Sequence, residues 1–143
     1  MITYAIMKAI ATDGVADLTI DKDFFWEQEP LQNDGKPAQG AWIVSRGASN
    51  FEAPKGLNQR TTIDFYVAYN DKTKSEATLE AIASWIRKNR TICELSGSVG
   101  SSSYAFSNVR ISPATTPQNV GLNATNGQIV KTTSAAIVFD INE

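Results

Sequence analysis

A group of acidic residues is the first feature of this 143-residue sequence that could carry out chemistry. The carboxylates lie on both sides of the aromatic run Phe24-Phe25-Trp26 and belong to Asp21, Asp23, Glu27 and Glu29. Carboxylates this close in sequence can bind Mg²⁺ or Ca²⁺, or act as a general acid and base. However, the spacing lacks the glycine and the terminal glutamate of a calcium-binding loop. We therefore interpret the group as a solvated acidic surface and the aromatic run as part of the core.

The numbers of histidine and cysteine residues exclude the commonest catalytic and metal sites. With no histidine, the chain cannot form a serine–histidine–aspartate triad, a cysteine–histidine pair or a histidine-ligated zinc site. Its one cysteine, Cys93, cannot form an internal disulfide or a thiolate cluster, which agrees with a reducing compartment. We interpret Cys93 as a small buried strand residue, because Glu94 beside it disfavours a reactive thiolate. Only carboxylate, lysine, tyrosine or serine–lysine chemistry remains, and we expect no catalytic site, metal site or cofactor.

The segment Ser96–Ser103 is rich in glycine and serine and has the composition of a phosphate-binding loop. A phosphate site of this kind needs glycine backbone amides that lead into a helix, together with a lysine. No lysine follows this segment, and the next residues favour a strand. The segment is therefore interpreted as a short flexible linker.

The overall composition indicates one globular domain that spans residues 1–143. Hydrophobic residues make up 42% of the chain and charged residues 20%, which is typical of neither a disordered nor a membrane protein. The formal net charge is −2 and the basic residues are scattered, so we expect no tight binding to nucleic acid. No apolar run approaches the roughly 20 residues of a membrane span, and the N-terminus lacks the pattern of a signal peptide. We therefore expect no membrane association and a cytoplasmic place of assembly.

Two segments have the periodicity of amphipathic helices. The first places Ile2, Ile6 and Ile10 on one face and ends at Asp13-Gly14, where glycine can adopt the left-handed conformation. The second begins with the capping box Thr73–Glu76, in which a hydroxyl and a carboxylate bind free amide groups. Its apolar stripe is followed by basic residues in the last turn, where positive charge complements the helix dipole.

Five strands are predicted, and the clearest is Thr62–Tyr69, where apolar and mixed positions alternate. The others are Ala41–Arg46, Thr91–Leu95, Tyr104–Ile111 and Ile129–Ile141. The order of helix, strands, helix and strands predicts an α+β fold. We expect a mainly antiparallel sheet of about five strands packed against two helices in a single domain.

Long loops are the expected sites of partner contact. The segments 27–40, 47–59 and 112–127 are rich in glycine, proline and asparagine and are predicted to be loops. Two arginines bracket the second of these loops and could meet an acidic partner. The full set of candidate contact residues is Arg46, Asn50, Phe51, Lys55, Arg60, Asn119 and Asn123.

Four segments carry a resemblance to a known family, and they are Ala41–Arg46, Arg60–Tyr69, the capped helix Ser75–Arg90 and the final strand that ends Ala136–Ile141. In order, length and pattern they resemble the tail terminators of siphophages, also called tail completion, minor tail or minor capsid proteins. The resemblance is one of pattern and size over nearly the whole chain, and it contains no diagnostic motif. It implies an N-terminal helix, a strand, a long strand, a second helix and further strands.

The resemblance implies a structural role rather than catalysis. Members of that family form a ring, usually of six subunits, that docks on the end of the tail tube and stops its growth. The ring also presents a surface to the head connector. The implied partners are other copies of the chain, the tail tube protein and the connector or stopper protein. The implied location is the head-proximal end of the virion tail, with DNA only as cargo that passes through the ring.

The size of the chain is compatible with such a ring. A compact chain of this length has a radius of gyration of about 14–15 Å, and hence a diameter of about 37 Å. Six such spheres leave a hole of about one sphere diameter, which is wider than a DNA duplex of about 20 Å. An acidic chain suits a lumen through which phosphates slide without binding.

Three other interpretations are open at this point. The chain could be another head-to-tail connector component or a tail tube subunit. A tube subunit would grow into filaments, whereas a terminator would form rings. It could be a small enzyme that uses carboxylates or lysine. It could also be a ligand-binding module, which a sizeable apolar pocket would support.

Overall fold

The computed structural model of this chain describes residues 1–27, 39–48, 57–114, 118–122 and 129–142. These residues form two α-helices, one 3₁₀ turn and seven β-strands. In chain order they are α1 (Ile2–Thr12), the 3₁₀ turn (Val15–Asp17), β1 (Phe24–Trp26), β2 (Gly40–Ala48), β3 (Gln59–Tyr69), α2 (Lys72–Lys88), β4 (Thr91–Val99), β5 (Ser102–Pro113), β6 (Gln118–Leu122) and β7 (Ile129–Ile141). The predicted α+β class is therefore confirmed.

The strands form one curled sheet that is mixed rather than purely antiparallel. Six of them lie in the order β1-β2-β3-β7-β5-β4, and β6 pairs with β7. β1 runs parallel to β2, whereas the other described pairings are antiparallel. β5 and β6 follow one another along the same side of β7, with β5 against residues 135–141 and β6 against residues 129–132.

The sheet contains two strands more than the roughly five predicted, and these are β1 and β6. β1 has only three residues and depends on parallel pairing with Ala41–Ile43, which its own sequence does not reveal. β6 lies inside the predicted loop 112–127, and its asparagine and glycine residues disfavour a strand. Pairing with the start of β7 stabilises β6 instead, in continuation of β5. Most of the predicted loops 27–40 and 47–59 lies outside the described residues.

The helix α1 lies between the two edges of the curled sheet. β1 and β4 stand first and last in the sheet order, and α1 contacts both. The ring centroid of Tyr4 in α1 lies 5.2 Å from that of Trp26 in β1 and 6.3 Å from that of Tyr104 in β5. The predicted apolar face of α1 is confirmed, since Ile6 and Ile10 are fully buried.

The helix α2 covers the inner face of the sheet, which is the face that carries the hydrophobic core. It packs on β3, β5 and β7. Its buried residues Leu79, Ile82 and Ile86 belong to the same core cluster as Phe65 of β3 and Ile137 of β7. Full burial of one such side chain contributes about 1.5–3 kcal/mol to stability. The alternation predicted for β3 is confirmed by its buried inner-face residues, which are Ile63, Phe65, Val67 and Tyr69.

The end of α1 and the start of α2 follow local signals, but one signal was misread. α1 ends at Thr12, and Gly14 has a φ of 70°, as predicted for the stop. The predicted capping box at Thr73–Glu76 is wrong, because α2 already begins at Lys72. The N-cap is Asp71, whose carboxylate accepts the backbone N–H of Thr73 at 2.9 Å and that of Lys74 at 3.4 Å. Asp71 lies two residues before Thr73 and caps the helix in its place.

The segment predicted as a flexible linker is a β-hairpin. β4 continues to Val99, and the chain turns at Gly100, which has a φ of 58°, before β5 pairs back. Gly97 is required here for space, because a Cβ atom at this position would lie 2.6 Å from the hydroxyl of Tyr104. The buried aromatic ring thus packs over a glycine on the neighbouring strand. No helix follows the segment, so it has no geometry for phosphate binding.

Cys93 is exposed, so the prediction of a buried cysteine was wrong. β4 alternates between half-buried and exposed residues except at Cys93-Glu94, where two exposed residues follow one another. β5 carries a bulge at the opposite position, where Asn108 has a φ of 50° and the register against β7 shifts. A bulge re-aims the side chains of the strand pair. Cys93 consequently points to solvent together with Glu94, while Ile92 and Leu95 stay half-buried.

The N-cap is open to a direct test. Replacing Asp71 with alanine leaves two amide groups of α2 without an acceptor, so we expect Asp71→Ala to lower the free energy of unfolding by about 1 kcal/mol. Thr73→Ala is the matched control and should change it by less than about 0.5 kcal/mol. Urea denaturation measures both. A larger loss of unfolding free energy for Thr73→Ala than for Asp71→Ala would show that Thr73 is the cap.

The close approach at Gly97 gives a second test. We expect Gly97→Ala to destabilise the fold by about 1–3 kcal/mol, because the new methyl group displaces the ring of Tyr104. Adding Tyr104→Phe should recover part of this loss, since the nearest atom to the added methyl group is the hydroxyl oxygen. Ser98→Ala, on the exposed side of the same strand, is the control. Thermal unfolding followed by circular dichroism compares the variants.

Candidate functional site

Three arginines lie together on the outer face of the sheet, the face opposite the two helices. Residues that pair across neighbouring strands have side chains on the same face. Arg60 of β3 pairs with Val138 of β7, which pairs in turn with Arg110 of β5. Arg46 of β2 pairs with Thr62, two residues from Arg60 on the same face of β3. We call Arg46, Arg60 and Arg110 the arginine surface.

Arg46 is held by a carboxylate that is nearly buried. Its Nε donates to Asp64 Oδ2 at 3.0 Å, and its Nη2 contacts Asp64 Oδ1 at 2.5 Å, while Ser134 donates its hydroxyl to the same Oδ1 at 2.6 Å. The side chain of Asp64 is 11% exposed, whereas that of Arg46 is 62% exposed. The bridge therefore ties β2, β3 and β7 together and leaves the far side of the guanidinium open to solvent.

The electrostatics of this bridge favour the charged forms of both partners. Burial acts to raise the pKa of Asp64, but hydrogen bonds from Arg46 and Ser134 and the charge of Arg46 outweigh it. The pKa of Asp64 consequently lies below its ordinary value. The hydrogen bond to Asp64, reinforced by the negative charge, raises the pKa of Arg46. Charge-assisted bidentate contacts of this kind are the strongest hydrogen bonds in proteins.

Arg110 belongs to a second polar network, at the bulge of β5. Its Nη2 donates to Asn58 Oδ1 at 2.9 Å, and Asn58 in turn donates its backbone N–H to Asp140 Oδ1 at 2.8 Å. The side-chain amide of Asn108 donates to Asp140 Oδ2 at 2.8 Å. The Asn108 bond, the Asn58 N–H and the charge of Arg110 together lower the pKa of Asp140. This network fixes Arg110 beside the carboxylate.

Arg60 differs from the other two arginines because nothing in the described part of the chain neutralises it. It is exposed on β3 and makes no hydrogen bond or ion pair with the described residues. Within the described part of the chain, the arginine surface therefore carries one uncompensated positive charge between two compensated ones. A surface of this kind suits an acidic side chain or a row of carbonyl groups on a partner protein.

The structure brings together only two of the seven predicted contact residues. Arg46 and Arg60 were predicted separately, and the sheet register places them on one face. Asn119 lies in β6, opposite Lys131 in register. The remaining predicted residues lie outside the described part of the chain, and they are Asn50, Phe51, Lys55 and Asn123. Sequence reasoning missed Arg110, although its position in an alternating strand could have indicated an outward direction.

Two members of the acidic group near the N-terminus, Asp23 and Glu27, hold backbone groups in place. Asp23 Oδ1 accepts the N–H of Thr19 at 2.6 Å, and Glu27 Oε1 accepts the N–H and the hydroxyl of Ser45 at 3.2 and 3.0 Å. Glu29 lies outside the described residues. Within the described ranges, no three carboxylate or thiolate side chains gather in a geometry that could hold a metal ion. The aromatic run is core as predicted at Phe24, while its two neighbours are half-buried.

A groove of 420 Å³ lies between α1, the end of α2 and β4. Its lining combines apolar and polar side chains, which include Ala5, Lys8, Ala9, Trp85, Leu95 and Tyr104. The indole N–H of Trp85 donates to Asp13 Oδ2 at 2.7 Å and so joins α2 to the end of α1. The groove borders β4, the last strand in the sheet order.

Comparisons with known proteins assign no family to this arrangement. No protein-family model matches the chain, and no curated protein matches its sequence. Neither α1 nor α2 has the length and apolar content that crossing a membrane requires. The function must therefore be inferred from the residues themselves.

The bridge between Arg46 and Asp64 predicts a pH-dependent stability. We expect Asp64→Asn to lower the free energy of unfolding at pH 7 by about 1–3 kcal/mol, because a charge-assisted hydrogen bond is lost. The pKa of Asp64 is depressed in the folded state, so its contribution is complete above the unfolded value of about 3.9 and disappears as pH falls through the folded value. The difference between wild type and variant should therefore shrink below about pH 4.

Urea denaturation at a series of pH values measures this difference. Glu80→Gln is the control, since Glu80 forms an exposed ion pair with Arg87 at 2.8 Å. Such a pair should contribute less than about 1 kcal/mol. A difference between wild type and Asp64→Asn that stays constant down to acid pH would contradict the assigned bridge.

Proposed function

We propose that this protein is the tail terminator of a long-tailed bacteriophage. It is a subunit of a ring that caps the tail tube, and the resemblance implies six subunits in that ring. The order of elements carries the proposal: apart from the three-residue strand β1, it is a helix, a strand, a long strand, a second helix and further strands. This is the order that the resemblance of the sequence implies. In this role the ring ends tube polymerisation and forms the interface for joining the head connector.

Two polar contacts among the described residues support a structural role. Asp64 is engaged by Arg46 and Ser134. The indole of Trp85 is engaged by Asp13, so this contact also joins two elements of the fold. These groups hold strands and helices together, whereas a catalytic site directs such groups toward a substrate. What the fold leaves available is surface: the arginine surface, and the outer edge of β4.

The arginine surface is best suited to a protein neighbour in the assembly. A lumen through which DNA slides should not bind phosphates strongly, because each phosphate contact adds attraction. Arg60, with its uncompensated charge, therefore faces the tail tube protein, the connector protein or the adjacent subunit in our proposal, rather than the lumen. The assembled ring lies at the head-proximal end of the virion tail, after assembly in the host cytoplasm.

Another head-to-tail connector component or a tail tube subunit is the alternative within the same class. A tube subunit stacks into long polymers, whereas a terminator forms a closed ring on the end of the tube. A small carboxylate-dependent enzyme is less favoured, because Asp23 and Glu27 already accept hydrogen bonds from the backbone. The groove beside β4 would be the place to look for a small ligand.

The function is tested by assembling the cognate tail tube protein with and without this protein and measuring tube length by electron microscopy. We expect the wild-type protein to bind one end of the tube and to limit its length. Tubes that stop at normal length in its absence, or that bind it at neither end, would refute the proposed function.

The role of the arginine surface is tested in the same assay with charge reversals. We expect Arg60→Glu to abolish capping and to give overgrown tubes, because it removes the uncompensated positive charge and introduces repulsion. Arg87→Glu is the matched control on the exposed side of α2 and should cap like wild type. Normal capping by Arg60→Glu would refute the role of the surface while leaving the terminator proposal intact.

A further inference from the structure

The outer edge of β4 is open to strand pairing, although α1 contacts this strand. β4 stands last in the sheet order, and no described strand pairs with its outer side. Proteins usually guard such edges with lysine, proline, a very short strand or a covering element. β4 has nine residues, contains neither lysine nor proline, and carries one charged residue, Glu94. Its composition therefore favours the addition of another strand.

The groove described above gives an added strand room beside this edge. It is bounded by α1 on one side and by β4 on the other, and its lining includes Leu95 and Ser96 of the edge strand. An incoming strand would pair its backbone with β4 and place alternate side chains in the groove, opposite Ala9 of α1. This arrangement would also cover the apolar part of the groove.

Backbone hydrogen bonds show which groups of β4 point outward. The N–H of Asn142 donates to the carbonyl of Ala105 at 2.9 Å, so the backbone groups of Ala105 point toward β7. Ser96 lies opposite Ala105 in the β4–β5 ladder and therefore directs its own N–H and C=O away from β5. Because the direction of the backbone groups alternates along a strand, the N–H and C=O groups of Glu94 and Ser98 also point away from β5. These three residues can form a new antiparallel ladder.

We propose that the occupant of this edge is β4 of a second copy of the chain, paired antiparallel about a two-fold axis at Ser96. In this register Ser96 lies opposite itself, Glu94 lies opposite Ser98, and Leu95 lies opposite Gly97. The one charge of the strand thus meets a hydroxyl group rather than a like charge. The large residue meets the smallest one, so the two edges are complementary in both charge and size.

This contact is separate from the ring contact of the proposed function and does not rest on it. A two-fold contact uses the same patch on both subunits and cannot by itself close a six-membered ring. The dimer is therefore a property of the isolated chain. It joins the two sheets into one and removes both open edges.

Two lysine substitutions on the same strand test the register. Ser96→Lys places two positive charges opposite each other, so we expect loss of the dimer in sedimentation velocity. Ser98→Lys places lysine opposite Glu94, so we expect the dimer to persist or to tighten at the same protein concentration. Circular dichroism checks that both variants are folded. A wild-type protein that sediments as a monomer, or two variants with equal effect, would overturn the proposal.

A covalent trap tests the same register independently. In a Cys93→Ser background, Ser96→Cys places two thiols opposite each other at a Cα separation of about 5.5 Å, which fits a disulfide. We expect mild oxidation to give a disulfide-linked dimer with this variant. Ser98→Cys, which lies opposite Glu94, should remain a monomer on a non-reducing gel. Equal cross-linking of both variants, or of Ser98→Cys alone, would contradict a two-fold axis at Ser96.

Discussion

The position of α1 between the two edges of the sheet is the constraint on which the rest of this structure depends. α1 has eleven residues, no side-chain N-cap and no charged residues that complement its dipole. Such a helix is marginal alone, so burial must stabilise it. Ile6 and Ile10 supply this burial inside the curl of the sheet. In return, Tyr4 contacts aromatic rings near both edges and holds the sheet in its curled form.

Because the sheet is curled, its inner face is covered by the two helices and its outer face is exposed to water. α1 and α2 occupy the inner face, so charged groups that stabilise the sheet have to lie outside or at its margin. The bridge from Arg46 to Asp64 and the network around Asp140 are both on the outer face, and each joins two or three strands. The same contacts that stabilise the sheet thus fix the arginines in place. Stability and the candidate binding surface have a common origin.

Much of this fold could be predicted from periodicity, and the exceptions have physical reasons. β3 and β7 are long and alternate, so their existence followed from sequence alone. β1 and β6 are short strands that depend on pairing with the next strand along the chain, which the pattern of their own residues does not encode. The hairpin of β4 and β5 was predicted to be a flexible linker because of its glycines. Gly97 instead leaves room for the ring of Tyr104. The arginine surface combines residues from three strands, so its assembly depends on register, which the sequence does not specify.

The arginine surface and the edge of β4 occupy different parts of the molecule, and their geometry couples them. A two-fold axis perpendicular to the sheet keeps the outer faces of both copies on the same side. Arg110 lies on β5, one strand from the paired edge, so each copy would bring its arginine surface to one continuous face. Two such surfaces on a single rigid sheet can engage a repetitive partner at once, which strengthens binding without any new contact.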